Sequence, residues 1–177
     1  MITERAQVGW GFWLQWVLAT AVGWAVGVVV GGDLFGAVVG AAQWLVLRRQ
    51  GARTGWWVLA SAVGWFVAMR VGGFLDEVLD WTLWYVSGVV GGAVVGAAQW
   101  LVLRQRVARA GWWVLPTVAG WVMFWFGAAM VFEINVFLGV VVVELIFGAL
   151  YGAITGSMLV WLLQQPAPKA SRNVFEQ

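Results

Sequence analysis

Gly36-Ala37-Val38-Val39-Gly40-Ala41-Ala42-Gln43-Trp44-Leu45-Val46-Leu47-Arg48 returns without a change as Gly92 to Arg104. A block copied in this way is one supersecondary unit repeated along the chain, and it organises everything around it. A third, diverged copy follows in Gly148-Ala149-Leu150-Tyr151-Gly152-Ala153-Ile154-Thr155. The segments preceding the blocks repeat as well: Trp16-Val17-Leu18-Ala19-Thr20-Ala21-Val22-Gly23-Trp24 becomes Trp57 to Trp65 and then Trp113 to Trp121. Each unit therefore reads as an odd helix, an outer turn, an even helix and a basic loop.

The solvent for these units follows from composition. Of 177 residues 63% are hydrophobic and 10% charged, with a mean hydropathy of +0.87, whereas soluble domains carry about 25% charged residues. A water-soluble globule is excluded. Apolar runs extend over Trp10 to Val30, Leu34 to Leu47, Trp56 to Leu75, Trp81 to Leu103, Trp112 to Phe132 and Phe137 to Leu163. Most approach the roughly 20 residues a helix needs to cross a bilayer, and their continuity excludes barrel strands, which alternate. The second run is short, about 25 Å of helix from Asp33 to Arg49. The expected fold is an all-α membrane protein with six transmembrane helices in three tandem two-helix hairpins. Hairpins that enter the membrane in one direction are related by an axis along its normal, here a pseudo-threefold one. A single transmembrane domain would cover residues 10–163, with repeats of about 10–50, 51–106 and 107–163, between tails at 1–9 and 164–177.

Orientation follows from the basic residues, which gather in cytoplasmic loops. Arg48, Arg49 and Arg53, then Arg104, Arg106 and Arg109, then Arg5, Lys169 and Arg172 in the tails all fall on one face of a six-span chain. Asp33, Asp76, Glu77, Asp80 and Glu133 fall on the other, and Arg70 alone breaks the pattern. Both tails are expected to be cytoplasmic. The net charge of +2 is then a topology signal and needs no nucleic acid. Arg5 before an apolar run with Ala19-Thr20-Ala21 resembles a secretory signal, but the same sequence recurs in mid-chain, so the first copy is expected to belong to the fold.

Small residues mark close helix approach in lipid. Gly36 and Gly40, Gly88, Gly92 and Gly96, and Gly148, Gly152 and Gly156 place such stripes on the even helices, which are expected to meet near the centre or within their hairpins. The tryptophans separate by depth. Trp10, Trp13, Trp44, Trp56, Trp57, Trp100, Trp112, Trp113 and Trp161 read as anchors at the cytoplasmic boundary, and Trp81, Trp84 and Tyr85 at the outer one. Trp24, Trp65 and Trp121 lie deeper, about 14 Å inward; they either fill space beside glycines or line a pocket for a flat or cationic ligand.

Candidate functional groups are few. With no Cys and no His, disulfides, thiol redox chemistry, imidazole bases and His-ligated metals or haem are excluded. No phosphate loop, paired catalytic carboxylates or metal-ligand cluster is present, so no enzymatic activity is expected and no cofactor is specified. Gln43, Gln99 and Thr155 occupy equivalent positions in the even helices, suited to a ring along a solute path or to hydrogen-bonded glue. Arg70 and Glu144 fall at similar depths, about 21 and 24 Å from the basic boundary, and are expected to pair between the third and sixth helices or to snorkel separately. Pro116 replaces Ala19 and Ala60 of the other repeats and removes a backbone donor.

The string Gln-Trp-Leu-Val-Leu-Arg followed closely by Gly-Trp-Trp-Val-Leu, from Gln43 to Leu59 and again from Gln99 to Leu115, resembles a pattern in uncharacterised multi-pass bacterial membrane proteins. The resemblance implies the repeat architecture and a bacterial inner membrane, and it carries no activity or site. Two functions remain open from the residues. One is a non-enzymatic accessory subunit, or a binder of lipid or pigment-like molecules, whose partners are the bilayer and a membrane protein or apolar ligand. The other is a small solute transporter or channel past Gln43, Gln99 and Thr155, gated near Arg70 and Glu144.

Overall fold

The structure, a computed structural model, describes residues 9–49, 55–79, 84–131 and 137–165. The tails with Arg5, Lys169 and Arg172, and also Arg53, Asp80, Trp81 and Glu133, lie outside these residues, as does the side chain of Trp84. The described chain is helical, without a strand: α1 Trp10–Val30, α2 Phe35–Arg48, α3 Gly55–Val78, α4 Trp84–Leu103, α5 Val114–Val131 and α6 Phe137–Gln164. Four stretches among the described residues are long and apolar enough to cross a membrane, namely Trp10–Val30, Gly55–Val78, Tyr85–Leu103 and Gly139–Gln164. The 14 residues of α2 make only about 21 Å of helix at 1.5 Å per residue. The 18 residues of α5 make about 27 Å and follow a 3-10 turn over Ala110–Trp113.

The turn from α1 to α2 is compact because two glycines take positive φ, +74° at Gly31 and +56° at Gly32, where a side chain would be strained. Gly31 N–H closes α1 on Gly27 O at 2.7 Å, and a 3-10 turn over Gly32–Leu34 leads into α2. Asp33 sits in that turn, where a carboxylate interacts favourably with the helix N-terminus.

The six helices close into a ring. Each packs against its two neighbours in sequence, α6 returns to α1, and among the described residues no even helix packs its backbone closely against another even helix. This corrects the expectation that the even helices meet at the centre; the alternative, packing within their hairpins, is met by α1 with α2, α3 with α4 and α5 with α6, although the even-helix stripes do not form that seam. Their glycines face the odd helix of the following hairpin instead. A Cβ at Gly40 would lie 2.6 Å from Ser61 Cβ, one at Gly96 3.1 Å from Val114 Cα, and one at Gly152 3.0 Å from Val17 Cα. The odd helices keep their own glycine, Gly23 or Gly64, for the even helix of the same hairpin, with Val39 Cα and Val95 Cα each 3.2 Å from such a Cβ. Small residues thus serve both seams, and the centre belongs to the large side chains of the odd helices.

The interior is mainly apolar with a few buried polar groups, and the exterior is apolar as well. Thr20, Gln43, Ser61, Ser87, Gln99, Thr117 and Thr155 are buried, while Leu14, Leu18, Val22, Leu59, Val63 and Leu115 are exposed on the outer surface. Such an apolar exterior fits hydrocarbon as its solvent and would drive association in water.

Gly92→Leu is expected to lower the unfolding midpoint in detergent strongly. A Cβ there meets Val118 Cα at 2.6 Å and Thr117 O at 3.1 Å, backbone that cannot yield, and overpacking of this kind costs about 1–3 kcal/mol. Gly73, with nothing within 4 Å of a Cβ, supplies the control: Gly73→Ala should leave the midpoint unchanged or raise it. Equal melting of the two variants contradicts the tight seam.

Candidate functional site

Trp16, Thr20 and Trp24 lie four residues apart along one stripe of α1, and the repeat places Trp57, Ser61 and Trp65 on α3, and Trp113, at the end of the 3-10 turn, with Thr117 and Trp121 on α5, in the same way. These three stripes meet on the ring axis. Towards the basic loops, Trp16, Trp57 and Trp113 are each wholly buried and touch one another edge to face, with centroids 5.9, 6.1 and 5.5 Å apart. Edge-to-face contact is the preferred arrangement of aromatic rings. Trp57 and Trp113 are therefore not interfacial anchors, as their place near the basic loops suggested, since the odd helices turn them inward. Trp10, Trp56 and Trp112 remain exposed at 81%, 70% and 53%.

An indole N–H on a dry axis needs an acceptor, and Gln43, Gln99 and Thr155 supply one each. Trp57 Nε1 donates to Gln43 Oε1 at 3.1 Å, and Gln43 Nε2 donates to Thr20 Oγ1 at 3.3 Å. Trp113 Nε1 donates to Gln99 Oε1 at 2.9 Å, and Gln99 Nε2 donates to Ser61 Oγ at 3.0 Å. Each glutamine thereby ties its own hairpin to the next. In the diverged unit Trp16 Nε1 donates to Thr155 Oγ1 at 3.1 Å, and the Thr155 hydroxyl donates to Tyr151 O at 2.8 Å. Threonine is too short to serve the remaining hydroxyl. Tyr151, standing where the other units have Val39 and Val95, lies over Gly120, and the Thr117 hydroxyl donates instead to Trp113 O at 2.9 Å. The three sequence-selected polar residues are thus the acceptors of the axis, with their polar atoms already engaged.

Trp24, Trp65 and Trp121 form the second layer. Phe124 touches all three, with centroids 5.3, 5.9 and 6.0 Å away, and Phe35 stacks on Trp65 at 4.2 Å. Between the two layers remains a space of about 30 Å³ bordered by Gln43, Gln99 and Ser61 among others, the size of one or two water molecules. No charged side chain borders it. The axis is closed at both levels.

Above the second layer a cavity of about 340 Å³ is bordered by Asp33, Arg70, Glu144, Phe35, Trp65 and Phe124, among others. Arg70 forms its ion pair with Asp33, Nη2 lying 3.0 and 2.8 Å from the two carboxylate oxygens, and its guanidinium lies 4.8 Å above the Phe66 ring. The expected pairing with Glu144 is corrected accordingly. Depth alone suggested it, but α3 and α6 do not pack together, and Arg70 reaches the α1–α2 turn beside it. Glu144 is 8% exposed, and its Oε2 has no hydrogen-bond partner among the described residues. No group of three or more His, Cys, Asp or Glu that could hold a metal occurs among the described residues. Sequence reasoning did not single out Trp16, Tyr151 or Asp33 as site residues, although Trp16 was available from the repeat register that selected Trp24.

Gln99→Leu should leave both Trp113 Nε1 and Ser61 Oγ without this partner and lower stability by about 1–2 kcal/mol, the range for interhelical amide bonds in membranes. Gln105→Leu, at an exposed position, should have no effect in the same thermal unfolding assay. No family model, curated protein or solved structure matches the chain.

Proposed function

We propose that this chain is a six-span protein of the bacterial inner membrane, without enzymatic activity. In this reading three hairpins are arranged about a pseudo-threefold axis, and both tails are cytoplasmic. It acts as a lateral platform that holds phospholipid acyl chains or flat apolar ligands on its outer surface, alone or as an accessory subunit. Three recurrences support the symmetry: the wholly buried Trp16, Trp57 and Trp113, an acceptor for each indole, and glycine seams around the ring.

The observation that carries the platform reading is the tryptophan seal. A solute path past Gln43, Gln99 and Thr155 would have to separate three mutually packed indoles from one another and from their acceptors, whereas the outer surface offers ready grooves. One of about 620 Å³ lies between α5 and α6 and includes Trp112, Pro116, Ala119 and Trp161. Others of about 400 and 330 Å³ include Trp10 and Trp13, and Trp56 and Gln105. All lie towards the basic loops, among tryptophans suited to the headgroup level. Arg48 and Arg104 lie over Trp44 and Trp100 at 5.2 and 5.1 Å, offering positive charge to anionic headgroups at that level.

Native mass spectrometry and lipid analysis after gentle purification test the reading. The wild type should carry bound lipid or a coloured apolar molecule, Ala119→Trp should lose much of it by filling the largest groove, and liposomes containing the protein should be no leakier to small solutes than empty ones. A ligand-free wild type or a saturable solute flux would overturn it. The chain has no native cysteine, so topology can be mapped with single-cysteine variants. Cysteines at Arg49 and Gln105 should label from the cytoplasmic side and those at Leu34 and Glu77 from the other; labelling of Arg49 and Gln105 from opposite sides would rule out six spans.

A further inference from the structure

The outer cavity contains a buried carboxyl group without an ion-pair partner among the described residues. Glu144 projects from α6 into its wall, 8% exposed, with Oε2 unpartnered among the described residues. The one cation among the described residues of that wall, Arg70, is paired with both oxygens of Asp33. Counting formal charges over Asp33, Arg70 and Glu144 leaves one negative charge in excess. Burying a carboxylate without a counter-ion is costly.

The side chains of the remaining wall are apolar, mostly aromatic or thioether, namely Phe35, Trp65, Phe124, Met69 and Val28, and Gly31 and Gly32 border it with backbone. Ring faces attract cations, most strongly where water is excluded. A volume of about 340 Å³ lies at the lower end of small-molecule sites, which run to about 1,000 Å³. A hard divalent metal would require several oxygen ligands, and the described residues hold no cluster of three acidic or metal-binding side chains. An anion would meet two carboxyl groups, Asp33 and Glu144, against the single guanidinium of Arg70.

We propose that this cavity binds a small lipophilic organic cation, an alkyl- or aryl-ammonium, with Glu144 as its counter-charge and the rings of Trp65 and Phe124 against its apolar body. None of Trp16, Trp57 and Trp113 borders the site, so occupancy requires no separation of that packed cluster. None of its lining residues borders the lipid grooves, and the site stands or falls independently of lipid binding there.

Equilibrium dialysis of radiolabelled benzyltrimethylammonium against the purified full chain in detergent provides the test. The wild type should bind saturably, and uncharged benzyl alcohol should not displace the probe. Glu144→Gln should weaken binding by about tenfold or more, a loss of about 1.4 kcal/mol. Met69→Trp, which fills the cavity without touching the charges, should weaken binding comparably, and Glu77→Gln on the exposed end of α3 should match the wild type. Absence of saturable binding by monodisperse wild type at millimolar probe overturns the proposal. So does wild-type affinity in either cavity variant, or displacement by benzyl alcohol as effective as by the unlabelled cation.

Discussion

The fold depends on satisfying indole N–H groups that are buried from solvent. Trp16, Trp57 and Trp113 are wholly buried at the ring centre, and each donates to a side chain on a neighbouring even helix. That requirement fixes the axial register of three helix pairs at once. It also explains the glycine seams: an even helix can bring Gln43 or Gln99 onto an indole of the next hairpin only if its backbone approaches closely, which Gly40 and Gly96 permit. Tryptophan, glutamine and glycine form one device, and loss of any member deprives the other two of their purpose.

The second layer shows how a repeated unit fills a single central space without three identical plugs. Phe124 occupies the position that is Gly27 in the first unit and Ala68 in the second, and Phe35 corresponds to Gly91 in the second and Phe147 in the third. Gly27 makes room for Phe35, whose ring would lie 2.9 Å from a Cβ there, and Gly91 makes room for Trp121, 2.7 Å from the corresponding Cβ. Large and small side chains are distributed unequally among the units so that their sum fills the axis. Departure from symmetry is here a packing solution. Tyr151 and Thr155 are the same solution written in hydrogen bonds.

Much of this was legible in the residues, and the exceptions have physical causes. Helical class and helix positions followed from uninterrupted apolar runs, and the repeat register selected Gln43, Gln99 and Thr155 together. Periodicity does not reveal which neighbour a helix face meets. The glycine stripes were therefore read as bringing even helices together, when they bring each to the next odd helix. Depth likewise places a residue along the membrane normal and says nothing of its azimuth. Trp57 looked like Trp56, one residue before it, although one faces the axis and the other the exterior. Arg70 and Glu144 shared a level while belonging to helices that do not pack together, and Asp33, at the turn beside Arg70, took the ion pair.

The ring closes through its first and last helices, which has a bearing on biogenesis. The acceptor for Trp16 is Thr155, 139 residues further along the chain, so during synthesis the amino-terminal indole is in place long before its partner is made. Trp57 and Trp113 need only acceptors 14 residues earlier, which are already inserted when each emerges. Assembly on the ribosome would thus proceed as an open arc, and arrival of the final helix would convert it into a closed circle. The nascent chain must meanwhile shelter one polar donor from lipid, a task for the insertion machinery or for an adjacent helix acting as a temporary companion.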